Sequence, residues 1–94
     1  MDARSRIHER LAETLAPCVF LDVIDQSAAH AGHAGARESG GGHFNVLIVS
    51  TRFEGLGALA RQRLVYAALA DEMRDLIHAL SMTCQTPAEY DGES

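Results

Sequence analysis

No lysine and no tryptophan occur in the sequence, and all eight basic residues are arginines, set against thirteen acidic ones. The resulting net charge of -5 argues against nucleic-acid affinity built on overall charge, which needs many cations along the phosphate backbone; a local arginine patch is left open. Cysteine is scarce: Cys18 and Cys84 are too few and too far apart for a disulfide framework, so a reducing, cytoplasmic setting is expected. No apolar run approaches the roughly 20 residues of a membrane span. Residues 1–11 are charged throughout and carry no apolar centre of the kind a secretory signal needs. At 94 residues, 47% of them apolar, the chain has room for one compact domain over 1–94, not for a catalytic domain beside a cofactor domain. Against these scarcities stand five histidines, His8, His30, His33, His43 and His78.

The patterning predicts an α-β-β-α-β order. Asp2 can cap a first helix in which Ile7, Leu11 and Leu15 recur every four residues among charged neighbours, and Pro17 stops it. Residues 18–25, rich in β-branched and aromatic side chains, suit a strand. Residues 27–42 are mostly Ala, Gly and Ser, hold two histidines and read as a flexible loop. A second strand opens at His43 and runs to Ser50, apolar at nearly every position and so expected to be covered on both faces. A helix follows from about Ala58, with Leu64, Val65, Ala68, Leu69 and Met73 on a buried stripe. Residues 77–84 fit either its continuation or a third strand, and periodicity alone leaves both open. Residues 88–94 read as an acidic tail.

If the third strand forms, a crossover helix makes strands two and three parallel, while the loop joins strands one and two as an antiparallel hairpin. His30, His33, His43 and His78 then gather at one sheet edge. Neutral imidazole is a common transition-metal ligand, so this edge reads as a metal or cluster site. The plainer readings differ by residue. His8 lies among charges and reads as solvated surface. His33 serves as well for a spacer as for a ligand, and His43 beside Phe44 is favoured as a buried histidine bonded to backbone. His78, between apolar Ile77 and Ala79, demands a partner for its nitrogens and is the leading candidate.

Six residues, about 20 Å along a strand, separate His78 from Cys84, so the two cannot share one ion. No Cys-x-x-Cys pair occurs, and one or two histidines leave a shell that a partner must complete. Other chemistry has little footing. There is no G-x-S-x-G elbow, Gly40-Gly41-Gly42 precedes a strand rather than a helix, and Gly55-Leu56-Gly57 lacks the lysine and spacing of a P-loop. Ser50 and Ser81 read as ordinary strand serines, Asp71 and Glu72 as a solvated helix face, and the cysteines as buried free thiols. No catalytic constellation emerges from these residues.

The run His43-Phe44-Asn45-Val46-Leu47-Ile48-Val49-Ser50-Thr51-Arg52-Phe53-Glu54-Gly55-Leu56 resembles the "SHFKVVVVSDRFEGL" signature of the BolA family. Arg61-Gln62-Arg63-Leu64-Val65-Tyr66-Ala67-Ala68-Leu69-Ala70 is similar to its "RHRLVYXALA" run, and Ile77-His78-Ala79-Leu80-Ser81 with Thr86-Pro87 to "(I/V)HALS…TP". Asp25-Gln26-Ser27-Ala28-Ala29-His30 resembles "D(E)SxxH", and the likeness covers about residues 7–90. Two departures are the extra His33 in a longer loop and Gly41-Gly42 in place of "ES".

The resemblance implies a small α/β domain like the class II KH fold, with a three-stranded mixed sheet, helices packed on it and a strand beginning near His78. It implies an adaptor without enzymatic activity of its own, which binds a monothiol glutaredoxin and shares a 2Fe-2S cluster with it, in iron–sulfur trafficking and in iron or stress regulation. Carried over by position, His78 becomes the cluster ligand of the "HAL" motif. His30 becomes the loop ligand, with His33 and His43 as less favoured ligands. Glutaredoxin and glutathione would supply the sulfurs. The alternative is a nucleic-acid-binding transcriptional regulator using Arg52, Arg61 and Arg63. Two further expectations are a homodimer and simple divalent-metal binding at the histidine edge.

Overall fold

The computed structural model describes residues 2–26 and 42–92. Helix α1 (Ala3–Thr14) starts where the Asp2 carboxylate accepts the Ser5 N–H at 2.8 Å, which satisfies one of the donors left open at a helix start. Its four-residue stripe is the buried one: Ile7, Leu11 and Leu15 lose essentially all contact with water. Each such side chain contributes about 1.5–3 kcal/mol of apolar burial. The helix closes with the Leu15 N–H donating to the Leu11 carbonyl, two residues before Pro17. Strand β1 (Cys18–Asp25) follows.

Strand β2 (Gly42–Ser50) pairs antiparallel with β1 and parallel with β3 (Ile77–Gln85), giving a three-stranded mixed sheet in the order β1-β2-β3. The crossover between β2 and β3 contains a 3-10 turn (Thr51–Phe53), helix α2 (Ala58–Ala68) and the single-turn helix α3 (Glu72–Asp75). Gly55 adopts φ +78°, a left-handed conformation that turns the chain toward α2 and that a Cβ would strain. The helix expected to run through Met73 is broken after Ala68 and resumes as the separate turn α3. Val65 and Leu69 are fully buried, while Leu64, Ala68 and Met73 pack against the core from its margin.

The core lies on one side of the sheet, where Ile7, Leu11 and Leu15 meet Val23, Phe44, Val46, Ile48, Phe53, Val65, Leu69 and Ile77. The expected double cover of β2 is not what forms. Asn45 and Leu47, which alternate with the core residues, are half-buried, and both sides are shielded only at the Val49–Ser50 end. The open face therefore shows Phe20 and Ile24, 40% and 49% exposed. At its shielded end the chain continues as α4 (Pro87–Tyr90), so the expected acidic tail begins as a docked helical turn, with Tyr90 stacked on Phe20 at 5.6 Å. At the free edge of β1, the Arg4 Nε donates to the Val23 carbonyl at 2.8 Å. Among the described residues no helix is long and apolar enough to cross a membrane.

Candidate functional site

Three chain segments meet where β1 ends and β2 and β3 begin. The Gln26 N–H donates to the His43 carbonyl at 2.7 Å, and the Gly42 N–H donates to the Leu76 carbonyl at 3.0 Å. The chain thus leaves this edge at Gln26 and rejoins it at Gly42. Gly42 lies opposite Ile77 but His43 lies opposite Ala79, so the register slips by one residue and His78 has no partner in β2. The extra residue interrupts the two-residue alternation of β3. Ile77 is buried and Leu80 half-buried, and the two residues between them, His78 and Ala79, are exposed. The His43 and His78 rings come together, centroids 5.4 Å apart and planes inclined by 21°, within the range of an offset stack.

Of the four histidines expected at this edge, the structure brings His43 and His78 together; His30 and His33 lie outside the described residues. His43 is half-buried, with its backbone carbonyl engaged by Gln26. His78 departs from expectation: it is exposed, so solvent satisfies its nitrogens and burial creates no demand for a partner. Its placement singles it out instead. His8 is half-buried on α1, not fully solvated.

The donor set has a definite character. Among the described residues no three His, Cys, Asp or Glu side chains converge as a metal site. Cys84 lies opposite Ile48 and Cys18 opposite Ser50, both toward the far end of the sheet from the histidines. Both thiols are half-buried rather than buried, and burial pushes both up, Cys84 to about 11 against the opposing pull of Arg61. Their place at the other end of the sheet, not their titration, keeps them away from the histidine edge. Among the described residues the edge therefore offers imidazole donors and no thiolate set of its own.

The far end of the sheet is closed by side chains that bind one another. The Arg61 guanidinium donates to the Leu56 carbonyl (2.8 Å), the Cys84 carbonyl (3.0 Å) and both carboxylate oxygens of Glu89 (2.6 and 3.2 Å), and it lies 5.9 Å over the Phe53 ring. Glu89 completes a capping box with Thr86, and the Arg61 hydrogen bond, with the Thr86 N–H, holds its carboxyl down at about 2. Of the three arginines in the nucleic-acid alternative, Arg61 is thus turned inward, its side chain 14% exposed, while Arg52 and Arg63 are exposed. Ser50 is no ordinary strand serine: fully buried, it donates to the Leu15 carbonyl at 2.8 Å and accepts the Arg52 N–H at 3.0 Å.

Sequence reasoning missed one feature. Glu72, expected on a solvated face, is fully buried; one carboxylate oxygen accepts from Arg6 Nε and Arg10 Nη2, each at 3.3 Å, and the other has no hydrogen-bond partner among the described residues. Asp71 remains exposed. The four-residue spacing of Arg6 and Arg10 was the available signal, since it puts two guanidiniums on one helix face beside whatever packs there. This cluster ties α1 to α3, the turn that launches β3 and its His78.

Comparison with known proteins agrees with the geometry. The family model for "BolA-like protein" matches residues 11–89. The chain is 48% identical over 88 residues to SufE-like protein 1 of Arabidopsis thaliana, covering 89% of this chain but 24% of that protein. It is 40% identical over 92 residues to the "DNA-binding transcriptional regulator BolA" of Escherichia coli, covering 98% of this chain and 83% of that one. Among solved structures, BolA1 from Arabidopsis thaliana superposes with a TM-score of 0.79 at 43% identity, covering 95% of this chain and 96% of that one. The chain spans about a quarter to three fifths of the length of the first curated relatives it matches. The family model, the relatives and the superposed structures agree, and the chain belongs to the BolA-like protein family.

Proposed function

We propose that this protein is a non-enzymatic adaptor that holds one half of a 2Fe-2S cluster shared with a monothiol glutaredoxin. In this reading His78 is the fixed ligand, His30 is the ligand from the segment joining β1 to β2, and glutaredoxin and glutathione supply the thiolates. One observation carries the reading: an exposed imidazole stands at the edge where that segment leaves and returns, with the cysteines at the far end of the sheet. Such a donor set is half a site. Neutral imidazoles in place of thiolates lower the negative charge around a cluster and raise its potential. They also tie ligation to proton release, which suits transfer or sensing better than permanent structure.

Co-expression with a monothiol glutaredoxin from the same source tests the proposal. A coloured heterodimer is expected, with charge-transfer absorption and visible circular dichroism that His78→Ala abolishes. Colour and dichroism indifferent to His78→Ala would overturn it.

A second reading draws on the name of the Escherichia coli relative, a DNA-binding regulator. Exposed Arg52 and Arg63 speak for it; the net charge of -5 and the inward engagement of Arg61 speak against it. DNA binding through the arginines requires an affinity that falls steeply with salt, and a flat salt titration rejects it.

A further inference from the structure

We infer that His43 is a positioning residue: its ring fixes the plane in which the His78 imidazole presents its edge nitrogens, and His43 itself does not bond the shared group. The inference rests on the reading of His78 as a ligand.

The two residues stand on unequal ground. His78 is the residue left over when the β2–β3 register slips, so no opposing residue limits its side chain, and it is exposed. His43 is held from three directions: its carbonyl accepts the Gln26 N–H, it lies opposite Ala79, and the next residue, Phe44, is 2% exposed in the core. The ring of a residue without a strand partner thus lies against the ring of one whose backbone is anchored on both sides.

The stacked arrangement argues against the pair as a chelate. A metal–imidazole bond lies in the ring plane at about 2.0–2.1 Å from the nitrogen. Stacked planes inclined by only 21° run alongside each other rather than turning their edges toward a common point. With the stack kept, the face of His78 is covered while its edge stays open for ligation. Groups that orient a metal-ligating histidine typically change metal affinity by about 10–100-fold when removed.

Two substitutions separate the roles. His43→Phe keeps a flat ring and loses both nitrogens; His43→Ala loses the ring. In the free protein, carbon–proton spectra of the His78 ring should keep a ring-current shift with phenylalanine and lose it with alanine. In the complex with glutaredoxin, cluster retention should stay within about twofold for His43→Phe and fall about tenfold for His43→Ala. Equal loss in both variants would make His43 a ligand, and no loss in either would make it a bystander; each overturns the inference. Should His43→Ala lose its far-ultraviolet dichroism, His43→Asn takes its place. His78→Ala, run alongside, separates the two failures. A complex that keeps its colour without His78 defeats the ligand reading itself, whereas colour lost with His78→Ala but kept with His43→Ala defeats only the positioning role.

Discussion

The two ends of the sheet are built on opposite plans. At the end where β2 finishes, Ser50, Arg61, Thr86 and Glu89 bond to one another or to nearby carbonyls, and Phe20 and Tyr90 stack over the outer face. At the end where β2 begins, two imidazoles lie side by side and one of them is exposed. The same backbone ladder serves both. The difference teaches where each kind of residue belongs: groups that hold the fold are enclosed by partners, and groups that could serve a second molecule stand where the register slips and the face is bare.

That contrast is open to measurement, beginning with the largest effect. Phe53→Ala removes a fully buried ring beneath Arg61 and should cost about 3–5 kcal/mol in urea unfolding. A loss below about 1 kcal/mol would mean that the closed end does not carry the stability assigned to it. Glu72→Ala leaves Arg6 and Arg10 without their shared acceptor and should cost about 1–3 kcal/mol. Because Arg6 and Arg10 are about half exposed, water recovers part of that loss.

The Arg61–Glu89 pair gives a smaller effect with a defined pH window. The folded-state value of Glu89, about 2, lies below its ordinary 4.5, so the pair adds stability above about pH 4.5 that is lost as the pH falls toward 2. Thermal melts of Glu89→Gln should lie below those of the parent at neutral pH and converge on them in that acid range. A constant gap would locate the effect in something other than ionisation. Smallest of all, His78→Ala should move stability by less than about 0.5 kcal/mol, since the side chain is exposed. A large loss there would erase the distinction between the two ends.

Much of this was legible from residue order. The every-fourth-residue stripe of α1, the β-branched run of β1 and the crossover before β3 place the chain, and the parallel pairing of β2 with β3 brings His43 beside His78 from 35 positions apart. What was not legible depends on three-dimensional approach. Nothing near Glu72 announces that α1, more than sixty residues earlier, will bury it. The exposure of His78 follows from a one-residue register slip that apolar neighbours conceal. Arg61 looks like a surface cation in a helix until α4 folds back against it. Local pattern sets the elements; the partners of polar side chains are set only when those elements pack.

The Arg4 contact with the Val23 carbonyl has a consequence for how this molecule meets its own kind. β1 is an outermost strand with apolar side chains exposed, the sort of surface on which another extended chain can add itself and start an aggregate. A guanidinium seated on one carbonyl interrupts that row of acceptors and brings a charge to the border, with Asp22 and Asp25 adding two more along the same strand. A first-turn arginine thus leaves this border one backbone acceptor fewer for an added strand to pair with.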